Sequence, residues 1–253
     1  MISKNQIKYV RQLEQKKFRK AENLFIAEGH KVVGDLLAAG FRPHQLFATK
    51  EWLSVNPLNS KFLNLTSVVT DEELSRLSLQ QHPQQVLGLF NIPKAQPDLS
   101  ILNSKLSILL DNVQDPGNLG TIIRIADWFG IDTIFCSPGT VDAWNPKVVQ
   151  ATMGSIARVN IVYIEPDELF DALPADFPIY GTFLDGQNIY TQQLSSHGLI
   201  VMGNEGNGIS DAVRARVTHK LLIPDFHQGD TADSLNVAIA TAITCSEFRR
   251  RGL

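Results

Sequence analysis

Ile7, Val10, Leu13 and Phe18 recur at helical spacing, and the pattern predicts one amphipathic helix at the start of the chain. Phe25-Ile26-Ala27 predicts a short strand, and residues 31–39 predict a helix that stops at Gly40. Leu46-Phe47-Ala48 predicts a second strand. Asp71-Glu72-Glu73 opens a short helix, and the apolar run 86–90 predicts a further strand. Together these read as a small α/β domain. Residues 91–104 carry Pro93, Pro97, Ser100, Asn103 and Ser104, the composition of a linker, which places a boundary near residue 97.

Beyond that boundary the rhythm is more regular. Strands are expected at 106–110, 133–136, 159–163, 179–183, 199–202 and 220–223. Helices are expected at 119–129, 145–153, 166–172 and 210–217, with a last one over about 235–250. Short, fully apolar strands that alternate with helices argue for a mostly parallel sheet covered on both faces. Ligands of such sheets sit at the carboxyl ends of the strands.

The 253 residues suffice for two domains of ordinary size, and a hydrophobic fraction of 43% suffices for a real core. No apolar run approaches the ~18–20 residues that span a bilayer, and the first residues lack the apolar core of a signal peptide, so a cytoplasmic protein is expected. The two cysteines, Cys136 and Cys245, match no metal spacing and read as buried thiols. The six histidines are scattered, so no metal is expected. The net charge of −3 hides an asymmetry. Residues 1–97 hold 13 Lys/Arg against 8 Asp/Glu, a balance of +5, while 98–253 hold 10 against 18, a balance of −8. The cations are densest at Lys4, Lys8, Arg11, Lys16, Lys17, Arg19 and Lys20. A basic first part suits contact with phosphates; a solvated helix face explains the same run equally simply.

Polar and glycine-rich residues cluster after three of the expected strands. The first loop, residues 111–120, carries Asn118 and leads into a helix with Arg124 near its start. A guanidinium there suits a bidentate phosphate grip, or an ion pair with Asp127 or Asp115. The second loop is Met202-Gly203-Asn204-Glu205-Gly206-Asn207-Gly208-Ile209-Ser210, where glycines permit close backbone approach to a ligand. It is neither GxGxxG nor a P-loop, which argues against a dinucleotide-dependent oxidoreductase. Glu205 is either catalytic or a brace of the turn. The third loop runs from Ile223-Pro224 to Ser234-Leu235-Asn236-Val237. Asp233 or Ser234 is expected to cap the last helix. Asn236, just inside it, calls for a second partner, structural or ligand.

The three loops, in this order on one sheet, resemble the three motifs of the SpoU class of RNA 2′-O-ribose methyltransferases. The matches are Asn118-x-Gly-x-x-x-Arg124 with Phe129-Gly130, then Gly203-Asn204-Glu205-Gly206 with Gly208, then Ile223-Pro224 with Ser234-Leu235-Asn236-Val237. The first segment, a basic helix followed by Phe25-Ile26-Ala27-Glu28-Gly29 and another helix, is similar to the ribosomal-protein-like substrate-binding domain that often precedes this catalytic domain. The resemblance implies a SPOUT-type α/β domain with a deep trefoil knot over 98–253 and an RNA substrate-binding domain over 1–97. It implies S-adenosylmethionine as cofactor, held around Met202, Gly203, Asn204, Gly208, Ile223 and Leu235. Arg124 falls at the family's catalytic arginine, with Asn118, Glu205, Ser234 and Asn236 at its other polar positions. It implies a homodimer, structured RNA as partner, and no metal or membrane. The separate basic first domain favours rRNA over tRNA. A tRNA 2′-O-methyltransferase and a non-catalytic RNA- or ribosome-binding protein are the competing readings. One departure stands out: the third motif's stretch 225–233 is longer and more acidic than the usual compact run. Phosphate contacts are expected from the basic start and Arg124, with Arg249 to Arg251 as further candidates.

Overall fold

The computed structural model describes residues 2–94, 99, 104–227 and 234–250. It forms two compact units: Met1–Lys94 with Asp142–Arg158, and Ala95–Val141 with Val159–Leu253. Most of the stretch expected as a linker, and Asp233 and Arg251, lie outside the described residues.

The first unit opens on α1 (Lys4–Gln12) and α2 (Lys16–Glu22). The single helix expected there is thus two, for a local reason. Ser3 and Gln6 form a capping box that starts α1, and Gln15 is extended and starts a new helix. Arg19 closes the break. Its guanidinium donates to the carbonyls of Leu13 at 2.9 Å and Glu14 at 2.6 Å, which the end of α1 leaves without partners. It also binds the Asp142 carboxylate at 2.6 Å and 3.1 Å. Arg19 is only 1% exposed. It is therefore a buried tether and not one of the RNA-facing cations expected from the basic run. By contrast Lys4, Lys8, Arg11, Lys16, Lys17 and Lys20 are exposed. Arg11 also donates to the carbonyls of Arg76 and Ser78 at 3.3 and 3.2 Å.

The sheet of this unit comprises β1 (Leu24–Glu28), β2 (Pro43–Ala48), β3 (Thr66–Val68) and β4 (Val86–Asn91), in the order β1-β4-β2-β3. Strand β4 runs antiparallel to both neighbours, and β2 and β3 are parallel. Around it lie α3 (His30–Ala38), α4 (Lys50–Val55), α5 (Ser60–Leu63) and α6 (Asp71–Leu77). Val10, Leu13, Ile26, Phe47, Leu74 and Leu87 share one apolar core. Helix α8 (Pro146–Ala151) returns from later in the chain to this unit, where Trp144 packs on Phe25 with ring centroids 4.6 Å apart.

The second unit carries six strands: β5 (Leu106–Leu110), β6 (Thr133–Cys136), β7 (Asn160–Tyr163), β8 (Ile179–Asn188), β9 (Gly198–Met202) and β10 (His219–Leu222). Their order is β10-β8-β9-β5-β6-β7, with every pair parallel. Buried runs such as LSILL and GLIVM, with no polar face, are what a sheet covered on both sides demands. The helices are α7 (Pro116–Trp128), α9 (Pro166–Asp171), α10 (Asp211–Arg214) and α11 (Val237–Arg250). Arg249 on α11 donates to the carbonyls of Phe129 and Gly130 at 2.7 and 2.8 Å, and Arg250 pairs with Glu247. Both thus have intramolecular work that the expected phosphate role did not include. Cys136 and Cys245 are both buried, and burial pushes both thiols up, Cys245 to about 12. No described helix is long and apolar enough to cross a membrane. Among the described residues no group of His, Cys, Asp and Glu is arranged to hold a metal.

Replacing Arg19 by Leu strands the Asp142 carboxylate and two carbonyls. Loss of a buried pair's partner costs about 3 kcal/mol, so a fall in Tm of several degrees is expected by thermal melting. Unchanged melting would show that the tether is dispensable.

Candidate active site

The site is built from three loops that leave the carboxyl ends of β5, β9 and β10. In the first, Asp111 is 2% exposed and accepts from Ser210 N at 2.7 Å and from Asn112 Nδ2 at 2.8 Å. A buried carboxylate at the end of β5 therefore holds the segment beyond β9. Asn112 turns the chain with φ +60, and a Cβ on Gly139 would come within 1.9 Å of its Oδ1, so any larger residue there would displace the Asn112 amide. Asp115 caps α7 by accepting from Asn118 N at 2.8 Å, and Pro116 occupies the first helical position, where no donor is lost.

In the second loop Asn204 acts as an organiser. Its Oδ1 accepts from Gly206 N at 2.9 Å and Asn207 N at 3.0 Å, which closes the turn, while its Nδ2 donates to Asn112 O at 2.7 Å. Gly203 lies so close to the returning strand that a Cβ would sit 2.2 Å from the Gly208 carbonyl carbon. Gly208 itself has φ +69.

Glu205 gathers the loops. Its carboxylate accepts from Gln114 N at 3.2 Å, Asp115 N at 3.1 Å and Asn118 Nδ2 at 3.0 Å. Asn118 Oδ1 in turn accepts from Asn236 Nδ2 at 2.8 Å. Asn236 Oδ1 accepts from Ala238 N at 2.9 Å and Ile239 N at 3.3 Å. Asn236 is thus the residue that caps α11, in place of the expected Ser234 or Asp233. The second partner its position called for is Asn118. One hydrogen-bonded relay, Glu205–Asn118–Asn236, joins all three loops. Partial burial pushes the Glu205 carboxyl up, but the Asn118 amide and the backbone donors outweigh it and hold it below the ordinary 4.5.

Beside this relay opens a cavity of about 650 Å³. Met202, Gly203, Asn204, Gly208, Ile223 and Leu235 all line it, as do Glu205 and Ser234. The sequence pattern left the opposite wall unmarked: Thr182, Phe183, Leu184 and Asp185, with Arg214. That wall exists because β8 continues past the expected end at residue 183 to Asn188. A signal for it was Gly186, where a Cβ would lie 2.5 Å from the Leu221 backbone. Arg124 is not among the lining residues. It stands exposed on α7, two turns from the Asp115 cap, and pairs with no carboxylate among the described residues. The shape of loop 225–233 depends on residues 228–233, which lie outside those described.

Comparison with known proteins agrees with these features. Residues 105–246 match the model of the SpoU rRNA Methylase family, and residues 4–88 match the MRM3-like substrate binding domain. The chain is 32% identical to the 23S rRNA (guanosine(2553)-2'-O)-methyltransferase RlmP of Bacillus subtilis, over 98% of this chain and 97% of that one. A solved TrmH-family protein from Porphyromonas gingivalis is 41% identical with a TM-score of 0.88, covering 99% of each chain. An AdoMet-bound rRNA methyltransferase from Sinorhizobium meliloti is 32% identical with a TM-score of 0.87, covering 100% of this chain and 97% of that one. With the motif loops joined on a parallel sheet and the family model matched over more than half its length, the chain belongs to the SpoU rRNA methylase family.

Proposed function

We propose that the chain transfers a methyl group from S-adenosylmethionine to a ribose 2′-hydroxyl of rRNA. The observation that carries this reading is the Glu205–Asn118–Asn236 relay, which fixes the cavity wall and the start of the Arg124-bearing helix as one body. Relatives named as rRNA methyltransferases, two of them as 2′-O-methyltransferases, support the substrate class.

The cavity suits the cofactor on its own terms. Its volume falls within the range of small-molecule sites. Met202, Ile223, Leu235 and Val237 offer apolar faces to an adenine ring, and Gly203 and Gly208 expose backbone groups to its polar atoms. Bound S-adenosylmethionine supplies an electrophilic methyl on a sulfonium. The chain's own residues have the remaining task of placing a weak ribose nucleophile and offsetting the charge that develops on its oxygen. Arg124, exposed and without a carboxylate partner among the described residues, is suited to hold a phosphate beside that ribose. A guanidinium has five donors and no acceptor, so it stabilises the developing alkoxide without taking the proton; the hydroxyl's proton passes to the neighbouring RNA phosphate or to water as the oxygen takes the methyl and S-adenosylhomocysteine leaves as the neutral thioether. Glu205 is a poor base too, because its oxygens are already engaged by backbone and amide donors. Its role is to position. Asn118 and Asn236 act with it, and Ser234 offers a hydroxyl on the cavity lining.

Residues 1–97 serve in this scheme as the RNA-gripping domain and 98–253 as the methyltransferase domain. Lys4, Lys8, Lys16, Lys17 and Lys20, all exposed, supply phosphate contacts, with Arg11 beside them. The active form is a homodimer. Supporting this, the packed helices α7 and α11 leave Trp128 85% and Ile239 52% exposed, one near the end of α7 and one near the start of α11, as apolar side chains available to a second copy.

Incubation with methyl-labelled S-adenosylmethionine and separate pools of unmodified rRNA and tRNA should put label on a ribose of rRNA. Arg124→Ala should lower that rate at least about 100-fold while S-adenosylhomocysteine still binds. Label on tRNA alone would transfer the reading to a tRNA enzyme, and label on neither would leave a binding protein.

Glu205→Gln puts an amide against three donors. At neutral pH the Gln114 and Asp115 amides should exchange about 10-fold faster, the scale of one charge-assisted hydrogen bond, and cofactor affinity should fall. In the native chain the carboxyl's pKa is depressed, so the tether's contribution is complete above 4.5 and is lost only as pH drops through the lower native value. A ¹³C titration of Glu205 with a midpoint at or above 4.5 would contradict the relay.

Trp128→Asp should convert the dimer into monomer in light scattering. A native chain that is already monomeric would refute the dimer.

A further inference from the structure

A second cavity, of about 370 Å³, lies wholly within the first unit and shares no lining residue with the candidate active site. Its walls are the aliphatic side chains of Ile26, Leu79, Pro146 and Val149. At its back is Glu28, only 6% exposed, which accepts from Leu79 N at 3.1 Å and from the Ser78 hydroxyl. Those bonds explain Glu28 as a brace of the loop after α6.

The two amides on the lining have no such explanation. Gln80 Nε2 donates to Gln150 Oε1 at 2.8 Å, a side-chain pair that spans 70 residues of sequence. Each glutamine has one half engaged and one half left over. Among the described residues neither Gln80 Oε1 nor Gln150 Nε2 has a partner. Reversing both amides leaves the same result, one acceptor beside one donor group. Lys147, exposed, also lines the cavity and adds a positive charge.

Aliphatic walls, an unengaged amide donor and acceptor on the lining, and a cation are chemistry that suits an extruded nucleobase with its phosphate. We propose that this cavity takes an extruded base of the substrate RNA, adenine being the best match, with the free halves of Gln80 and Gln150 reading its hydrogen-bonding edge. An amide's acceptor-and-donor pair matches the N6–H and N7 of adenine. This inference rests on the RNA reading above and adds to it a place where sequence is read, as distinct from the phosphate-binding lysines.

The test is the affinity of the full chain for rRNA transcripts across a salt series. Gln80→Leu/Gln150→Leu should weaken binding about 10-fold without changing the slope of log affinity against log salt. Ala151→Leu, which fills the cavity and leaves both amides alone, should do the same. Lys147→Gln should instead reduce the slope by about 0.7 to 0.9, the signature of one lost phosphate contact. Tm and S-adenosylhomocysteine affinity should be unchanged in the first two variants. Native affinity in both would overturn the proposal, as would a reduced salt slope in the double variant, which would make the cavity a phosphate site. If the unaltered chain binds no rRNA, the functional reading fails, and this one with it; if only the variants match the native chain, the base site alone fails.

Discussion

Three loops at the ends of parallel strands have no backbone reason to stay together. The strand pairing ends at Leu110, Met202 and Leu222, and the described segments beyond them are loops with no ladder of their own. The constraint that makes a site of them is the Glu205 carboxylate. It accepts two backbone N–H groups from the first loop and, through Asn118, reaches Asn236 of the third. Asp111, buried at the root of the first loop, does the same on the interior side by holding Ser210. Two carboxylates, one inside and one near the surface, thus clamp the second loop to the first. The lower pKa of Glu205 is the electrostatic record of that clamp: donors aimed at an anion favour the anion.

Legibility in the sequence depends on which forces leave a local mark. The second unit's strands were readable because a doubly covered parallel sheet requires unbroken apolar runs, and 106–110 and 133–136 match β5 and β6 to the residue. Glycine clusters marked the loops because close backbone approach admits nothing larger, as at Gly203. The residues lining the cavity on the motif side were legible through the family resemblance. They were not legible through periodicity, which says nothing about what a loop encloses.

The rest depended on partners distant in sequence. Arg19 sits in a run of lysines, and nothing local distinguishes it from them. Its burial is decided by Asp142, 123 residues away, and by the carbonyls that a helix break exposes. The break itself hides in a continuous amphipathic pattern, since Leu13 and Phe18 keep helical spacing across it. Between residues 50 and 68 the sequence shows no periodic pattern, because α4, α5 and β3 are too short for a period to register. Asn236 is a misfit as a helix-interior residue, and that misfit is the local mark of its role. The resolution, that it is the cap itself, needed the position of Val237 as first helical residue.

The charge asymmetry takes on a different meaning with these contacts in place. Much of the second unit's acidity is spent internally: Asp111 on Ser210, Asp115 on α7, Glu205 on the relay, Asp185 on Arg214 and Lys220, Glu247 on Arg250. Its arginines are likewise engaged, Arg214 and Arg216 with carboxylates and Arg249 with carbonyls. Arg124 is the exception among the described arginines of that unit. The second unit thus engages its other described arginines and leaves one guanidinium exposed on the helix its own relay anchors, where an incoming anion would meet no competing carboxylate among the described residues. The lysines of α1 and α2 are exposed in the same way, but on flexible four-carbon stems and on helices that nothing in the relay fixes. They suit strength of attachment, whereas Arg124, on a clamped helix, suits precision of placement.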